Sequence, residues 1–228
     1  MTFYLGIDLG QINDNSVVLV AERHDMPVSS SYEKRPGMYH IVYLHRFPLK
    51  TPYTAIVEAV QELLSRDPLK GNYKLVLDTT GVGLPIADMF RQAGMKPACI
   101  VITGGTITNR EGSTWRVPKR DLISTLQVLL QSGRLKIAKD LPEAATLMNE
   151  LLSFRMRITL DGNDQYGAWR ENDQDDEVLA AAIACWYGEK VGGQLRPELP
   201  ATAPRERRWT TITPELDYER GWRMAYDL

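Results

Sequence analysis

Cysteine is scarce in these 228 residues: Cys99 and Cys185 are the two present, far apart and each in an apolar context. A disulfide-stapled scaffold is thereby excluded, and a reducing compartment is the expected setting. Histidine is nearly as sparse, with His24, His40 and His45 scattered over expected strands and loops; they receive no catalytic role, and zinc is disfavoured for want of a histidine cluster. Neither sign of charge prevails, since 27 Lys and Arg stand against 29 Asp and Glu for a net charge of −2. That balance excludes a uniformly basic nucleic-acid coat but leaves room for a local basic patch. No uninterrupted apolar run approaches the ~18–20 residues of a membrane span, and MTFYLGIDLG lacks the charged region and cleavage site of a signal peptide. Internal repeats are absent, and so is any G-x-x-x-x-G-K-S/T phosphate-binding loop.

What remains is ordinary globular composition, 43% hydrophobic and 25% charged, at a length that suits one domain with an appendage. Phe3, Leu5, Ile7 and Leu9 alternate with Tyr4, Gly6 and Asp8, which predicts a strand over Phe3–Leu9. Further strands are expected at Ser16–Ala21 and Met38–Phe47, joined by a polar loop with two prolines, so the chain opens as an antiparallel three-strand meander. Thr51 as N-cap and Pro52 in the first turn start a helix carrying Ile56, Val57, Val60, Leu63 and Leu64. A strand over Tyr73–Leu77 ends at Asp78, a helix over Pro85–Ala93 closes at Gly94, and Ala98–Ile102 is a further strand. Arg110–Lys119 reads as a polar, basic stretch. Helices follow at Asp121–Gln131 and Leu141–Phe154, then a hairpin within Phe154–Trp169 around Asp161-Gly162-Asn163, and an apolar helix over Asp176–Glu189. The expected fold is α/β, a mixed central sheet of the meander plus parallel strands, flanked by helices. Residues 1–190 form the domain and 191–228, rich in proline, alanine and arginine, a linker and tail.

Aspartates stand at three places where chemistry is usually done. Asp8 lies at the end of the first strand on the face opposite Phe3, Leu5 and Ile7; Asp78 closes the fourth strand before Thr79-Thr80-Gly81-Val82-Gly83; Asp175 and Asp176 open the last helix. Functional groups of open α/β sheets gather at the carboxyl ends of strands. Clustered carboxylates repel one another and favour hard divalent cations, above all Mg2+, which is completed by waters and substrate phosphates. Two such ions roughly 3.5–4 Å apart serve in-line phosphodiester cleavage. Each acid also has a plainer role, as turn former, strand-end cap or helix-dipole partner, and the run Glu171, Asp173, Asp175, Asp176, Glu177 reads by composition as a solvated face.

The ordered set Gly6-Ile7-Asp8-Leu9-Gly10, Leu77-Asp78-Thr79-Thr80-Gly81-Val82-Gly83, Val117-Pro118-Lys119-Arg120-Asp121-Leu122-Ile123, Leu130-Gln131-Ser132-Gly133-Arg134-Leu135, Glu150-Leu151 and Asp175-Asp176-Glu177-Val178-Leu179-Ala180 resembles the nuclease domain of phage and viral terminase large subunits, in the ribonuclease-H-like (retroviral-integrase-like) superfamily. The resemblance runs from about residue 1 to 190. It implies a ribonuclease-H-like fold and a Mg2+- or Mn2+-dependent endonuclease that cuts double-stranded DNA during genome packaging in the host cytoplasm. It further implies two divalent ions held by Asp8, Asp78 and Asp176, with Asp175 as accessory ligand, and Lys119 at the DNA. ATPase motor, portal and small terminase subunit are the implied partners; no phosphate-binding loop is present, so the motor lies on another domain or chain. Gln174 stands where the family often has a histidine.

Arg110, Arg116, Lys119 and Arg120 against Glu111 give a local balance of +3, a candidate contact to the phosphodiester backbone. Arg155, Arg157, Trp169 and Arg170 of the hairpin are candidates for the border of the same groove. The tail mixes Arg205, Arg207, Arg208, Trp209, Trp222 and Tyr226 with acids, a composition suited to docking a partner. Rival readings are a Holliday-junction-type resolvase, an actin-like ATPase, for which the chain is too short to supply both lobes, and a non-catalytic DNA-binding module.

Overall fold

Strand β1 (Thr2–Asp8) turns Phe3, Leu5 and Ile7 to one side and Tyr4, Gly6 and Asp8 to the other, as the two-residue period of extended chain requires. Phe3, Leu5 and Ile7 enter one buried cluster and Tyr4 enters another, so β1 is central to a sheet covered on both faces. In the computed structural model, residues 1–10, 14–26, 35–81, 83–153, 155–158, 164–167 and 176–192 are described. Strands β2 (Val17–Asp25) and β3 (Gly37–Arg46) continue β1 as an antiparallel meander. On the other flank β4 (Tyr73–Asp78) and β5 (Ala98–Thr103) run parallel to it. The edges are completed by β6 (Asn109–Glu111), β7 (Thr114–Pro118) and β8 (Leu135–Ile137), giving an eight-stranded mixed sheet in the order β6-β7-β5-β4-β1-β2-β3-β8.

Helices α1 (Tyr53–Ser65) and α2 (Leu84–Gln92) bury Ile56, Val60, Leu63, Ala87 and Phe90 against the Phe3 side. On the opposite side α3 (Lys119–Gln131), α4 (Ala144–Ser153) and α5 (Asp176–Val191) supply Leu122, Leu126, Leu147 and the Val178–Trp186 segment. Helix α5 is buried nearly all round, which its small residues make possible. A Cβ placed on Gly6 would lie 2.0 Å from the carbonyl oxygen of Ala180 and 3.1 Å from Cβ of Ala184. Gly6 is thus the place where the sheet backbone receives the helix.

The expected mixed sheet, meander and flanking helices are all present. Several boundaries differ. Pro52, not Thr51, is the N-cap of α1, and the Thr51 hydroxyl donates to the Pro48 carbonyl (2.7 Å) instead. The basic stretch is a hairpin, β6–β7, followed directly by α3 from Lys119 rather than Asp121. Its inward residues are only Trp115 and Val117, too few to give a strand signature amid polar neighbours. β8 is three residues long, below what periodicity can register, and pairs in parallel with β3. Helix α4 begins at Ala144 rather than Leu141. The late hairpin forms as expected from β9 (Arg155–Ile158) and β10 (Asp164–Gly167). The linker and tail from 193 onward lie outside the described residues.

Candidate active site

Register places the acids. Ile7 pairs with Leu77 across the parallel β1–β4 ladder, so the next residues, Asp8 and Asp78, end the two strands side by side. On the other flank Asp8 pairs with Val17 and Val17 with Arg46. Asp78, Asp8, Val17 and Arg46 therefore form one row across four strands at ~4.8 Å per step. Alternation assigns the row to one face, since Val76, Tyr4, Val17 and Leu44 all belong to the cluster around α5.

Helix α5 runs against the direction of β1. Ala180 lies over Gly6, while Gly192 approaches Arg23, whose pairing partner is Thr2 at the start of β1. The N-terminus of α5 consequently reaches the row of strand ends, bringing Asp176, 8% exposed, to the same end and face as Asp8 and Asp78. There Nη2 of Arg46 meets Oδ2 of Asp176 at 3.2 Å. Asp8, Asp78 and Asp176 do not close into one compact cage: among the described residues, a single trio of candidate ligands has all its ligand atoms within 4.8 Å of one another, and it lies elsewhere. Asp175 lies outside the described residues.

Asp78 is 6% exposed and anchored by its own turn. Its Oδ1 accepts the backbone N–H of Thr80 (2.7 Å), while the Thr80 hydroxyl accepts from the N–H of Ile102 (2.7 Å) and the Thr79 hydroxyl donates to the Ile100 carbonyl (3.0 Å). Gly81 and Gly83 complete the turn at φ of +77° and +73°, a region other residues seldom adopt. Burial pushes the Asp78 carboxyl above its ordinary range, with the Thr80 hydrogen bonds and the charge of Lys119 pulling the other way.

Three residues that the sequence did not single out as site members support Asp176. Glu150 caps α5: its Oε2 accepts the N–H groups of Glu177 (3.0 Å) and Val178 (3.2 Å). Glu177 is wholly buried, and neither carboxylate oxygen has a hydrogen-bond partner among the described residues. This corrects the solvated-face reading at Glu177: the helix that carries it is packed on every side, so its first turn cannot reach water. Arg46 answers both acids, at 3.6 Å from Glu150 and 3.7 Å from Glu177. Burial raises the Glu150 carboxyl to about 7 despite the Val178 hydrogen bond and Arg46. Burial, then the charge of Glu150, raises Glu177 to about 8. One cation is thus shared by three acids, two of which burial moves toward the protonated form. A glutamate one residue inside an apolar helix was the available signal for Glu177; nothing local marks Arg46.

The four basic candidates part company. Lys119 opens α3 close enough to Asp78 for its charge to act there. Arg120 is held nearby, donating to the Thr106 carbonyl (3.1 Å) and standing 3.6 Å from Asp121. Arg116 is exposed on β7, on the face opposite Val117. Arg110 lies in the row of Asp78 but three strands away, through Trp115 and Ile100: it stacks 4.9 Å over the Trp115 ring, donates to the Gly112 carbonyl, and shares a cavity with Lys74 at the start of β4. Three inter-strand steps put its backbone ~14 Å across the sheet from Asp78. Trp169 and Arg170 lie outside the described residues, as do the side chains of Arg155 and Arg157.

No protein-family profile and no curated protein sequence matches this chain. Solved structures do. The large terminase nuclease of thermophilic phage G20c with bound magnesium superposes with a TM-score of 0.57 at 24% identity, covering 80% of this chain and 79% of that one. The Thermus phage P74-26 large terminase nuclease domain gives 0.54 at 23% identity over 80% and 77% of the two chains. The HK97 bacteriophage large terminase gives 0.55 at 12% identity, over 82% of this chain and 39% of that one. The chain has the ribonuclease-H-like fold of large terminase nuclease domains.

Proposed function

We propose that this chain is a divalent-metal-dependent endonuclease that cuts double-stranded DNA during viral genome packaging, the nuclease portion of a terminase large subunit. One observation carries the reading: Asp8 and Asp78 end neighbouring parallel strands side by side, on the face and at the end reached by the N-terminus of α5 with Asp176. The same fold in the phage G20c large terminase nuclease holds magnesium.

The donors suit such an ion. Asp8, Asp78 and Asp176, with Asp175 beside it, offer only hard carboxylate oxygens, which match Mg2+ or Mn2+ rather than zinc. Burial that raises Asp78 disfavours its free anionic form, and a bound cation would offset that cost. Two ions there would supply an activated water and would compensate charge on the departing 3′ oxygen. The chain's own groups do the rest. Thr80 holds the Asp78 carboxylate in place. Arg46 restrains Asp176, and Glu150 fixes the helix end that carries it. Lys119, close to Asp78, is placed to pair with a backbone phosphate, giving grip without sequence reading. Double-stranded DNA is the substrate, and an ATPase motor, the portal and the small terminase subunit are the partners, in the cytoplasm of the infected host.

Plasmid digestion with Mn2+ or Mg2+ tests the proposal, using wild type, Asp8→Asn and Asp78→Asn. Wild type should linearise and then degrade plasmid only with metal, and each variant should lose on the order of 10³-fold in rate while keeping its cooperative unfolding transition. Cleavage that survives chelation or either substitution contradicts it, and so does a preference for branched over linear duplex, which marks a resolvase.

A further inference from the structure

We propose a second metal site, built by Glu22, His24 and His40 and suited to a borderline transition ion such as Zn2+, separate from the acidic centre. The antiparallel ladder of β2 and β3 pairs Glu22 directly with His40, and His24 follows Glu22 by two residues, on the same face. Histidines that are scattered in sequence are thereby brought together: their rings stand 5.1 Å apart between centroids. One ligand atom from each of the three residues lies within 4.8 Å of the others. A tetrahedral zinc with ligands at about 2.0–2.1 Å has them ~3.4 Å apart, so the side chains need only a small rotamer adjustment.

The two imidazoles lack other partners at Nε2. Nε2 of His24 and Nε2 of His40 are both shielded from solvent and neither makes a hydrogen bond. Nε2 of His24 is 3.1 Å from Oε1 of Glu22, without the alignment of a hydrogen bond, and the Glu22 side chain is 6% exposed. Burial holds both imidazoles below their ordinary range. Three acceptors converging in a half-buried pocket are satisfied together by a cation. Two imidazoles and a carboxylate leave a fourth position for water, and nitrogen donors select Zn2+, Ni2+ or Co2+ over Mg2+.

The site is remote from the acids. Glu22 is five residues beyond Val17, ~17 Å along β2, and it follows Ala21 of the α5-side cluster, so it faces away from that side. An ion there would clip β2 to β3, stabilising the meander in proportion to its occupancy.

The test uses the full chain stripped with chelator. Zn2+ competition against a chromophoric chelator should show one equivalent bound by wild type and by Asp8→Asn/Asp78→Asn, with affinity lowered at least 100-fold in His24→Ala/His40→Ala. Zn2+ should raise the melting temperature of wild type and not of that double variant. Zinc K-edge absorption on wild type at one equivalent needs no variant: it should show two imidazoles in the ligand shell. Failure to bind zinc, affinity unchanged in the double variant, or a shell of oxygen alone overturns the proposal. None of these outcomes bears on cleavage by the acidic centre.

Discussion

Asp8 and Asp78 stand side by side because their strands are parallel, in register and end together. Strand geometry alone places the two carboxyls ~4.8 Å apart at the backbone, with no loop needed to bring them together. Asp176 comes to the same end of the sheet by a different route, through the docking of α5 on Gly6. Four consequences can be measured.

Arg46 is the one cation paired to Glu150, Asp176 and Glu177 among the described ion pairs. Arg46→Ala should cost about 3–5 kcal/mol in denaturant unfolding, the penalty of leaving buried acids uncompensated. Adding Glu177→Gln, which removes the most buried acid, should recover part of that loss. An Arg46→Ala protein as stable as wild type would mean the cluster is already neutral.

Gly6 admits no side chain. Since a Cβ would fall 2.0 Å from the Ala180 carbonyl oxygen, Gly6→Ala should lose about 1–3 kcal/mol or more and should lower cleavage by displacing Asp176. Gly104→Ala, with nothing within 4 Å of its Cβ, serves as control and should behave as wild type.

Lys119 and Arg110 were alike in sequence and are unlike in place. Lys119→Ala should weaken binding of any DNA sequence alike and reduce the salt slope by about one. Arg110→Ala, altered on the edge strand three strands from Asp78 and stacked on Trp115, should leave both within twofold. Equal effects from the two would put DNA along the whole sheet edge.

Acid should destabilise the protein partly through His45, whose ring packs edge-on to Phe47 at 4.5 Å. Burial lowers its folded pKa below 6.5, so the unfolded chain takes up the proton first. The stability it contributes is complete above pH 6.5 and is lost as pH falls through that value. His24 and His40 act in the same sense; Glu150 and Glu177, raised, act in the opposite one between about 4.5 and 8. The difference between wild type and His45→Gln isolates the term: the melting temperatures should converge as pH falls from 7.5 to 5.

Much of the fold was legible because alternation in β1 to β3 and the apolar stripes of α1 and α3 are local patterns. The hairpin β6–β7 and strand β8 were not, since three to five residues with one or two inward side chains carry no period. The same distinction runs through the site. Asp8 and Asp78 announce themselves as polar residues closing apolar strands. Arg46 belongs to the site only through the pairing of Asp8 with Val17 and Val17 with Arg46, and Glu150 only through the N–H groups of α5. Arg110 was grouped with Lys119 by proximity in sequence, which the β6–β7 turn undoes. His24 and His40 likewise become neighbours only through β2–β3 register.

The most direct measurement is anomalous diffraction at the manganese edge from crystals of wild type soaked in Mn2+. The expected result is manganese within about 2.0–2.3 Å of carboxylate oxygens of both Asp8 and Asp78, with Asp176 completing the shell. Manganese found only away from these aspartates, or bound by one of them alone with plasmid still cut, would contradict the account.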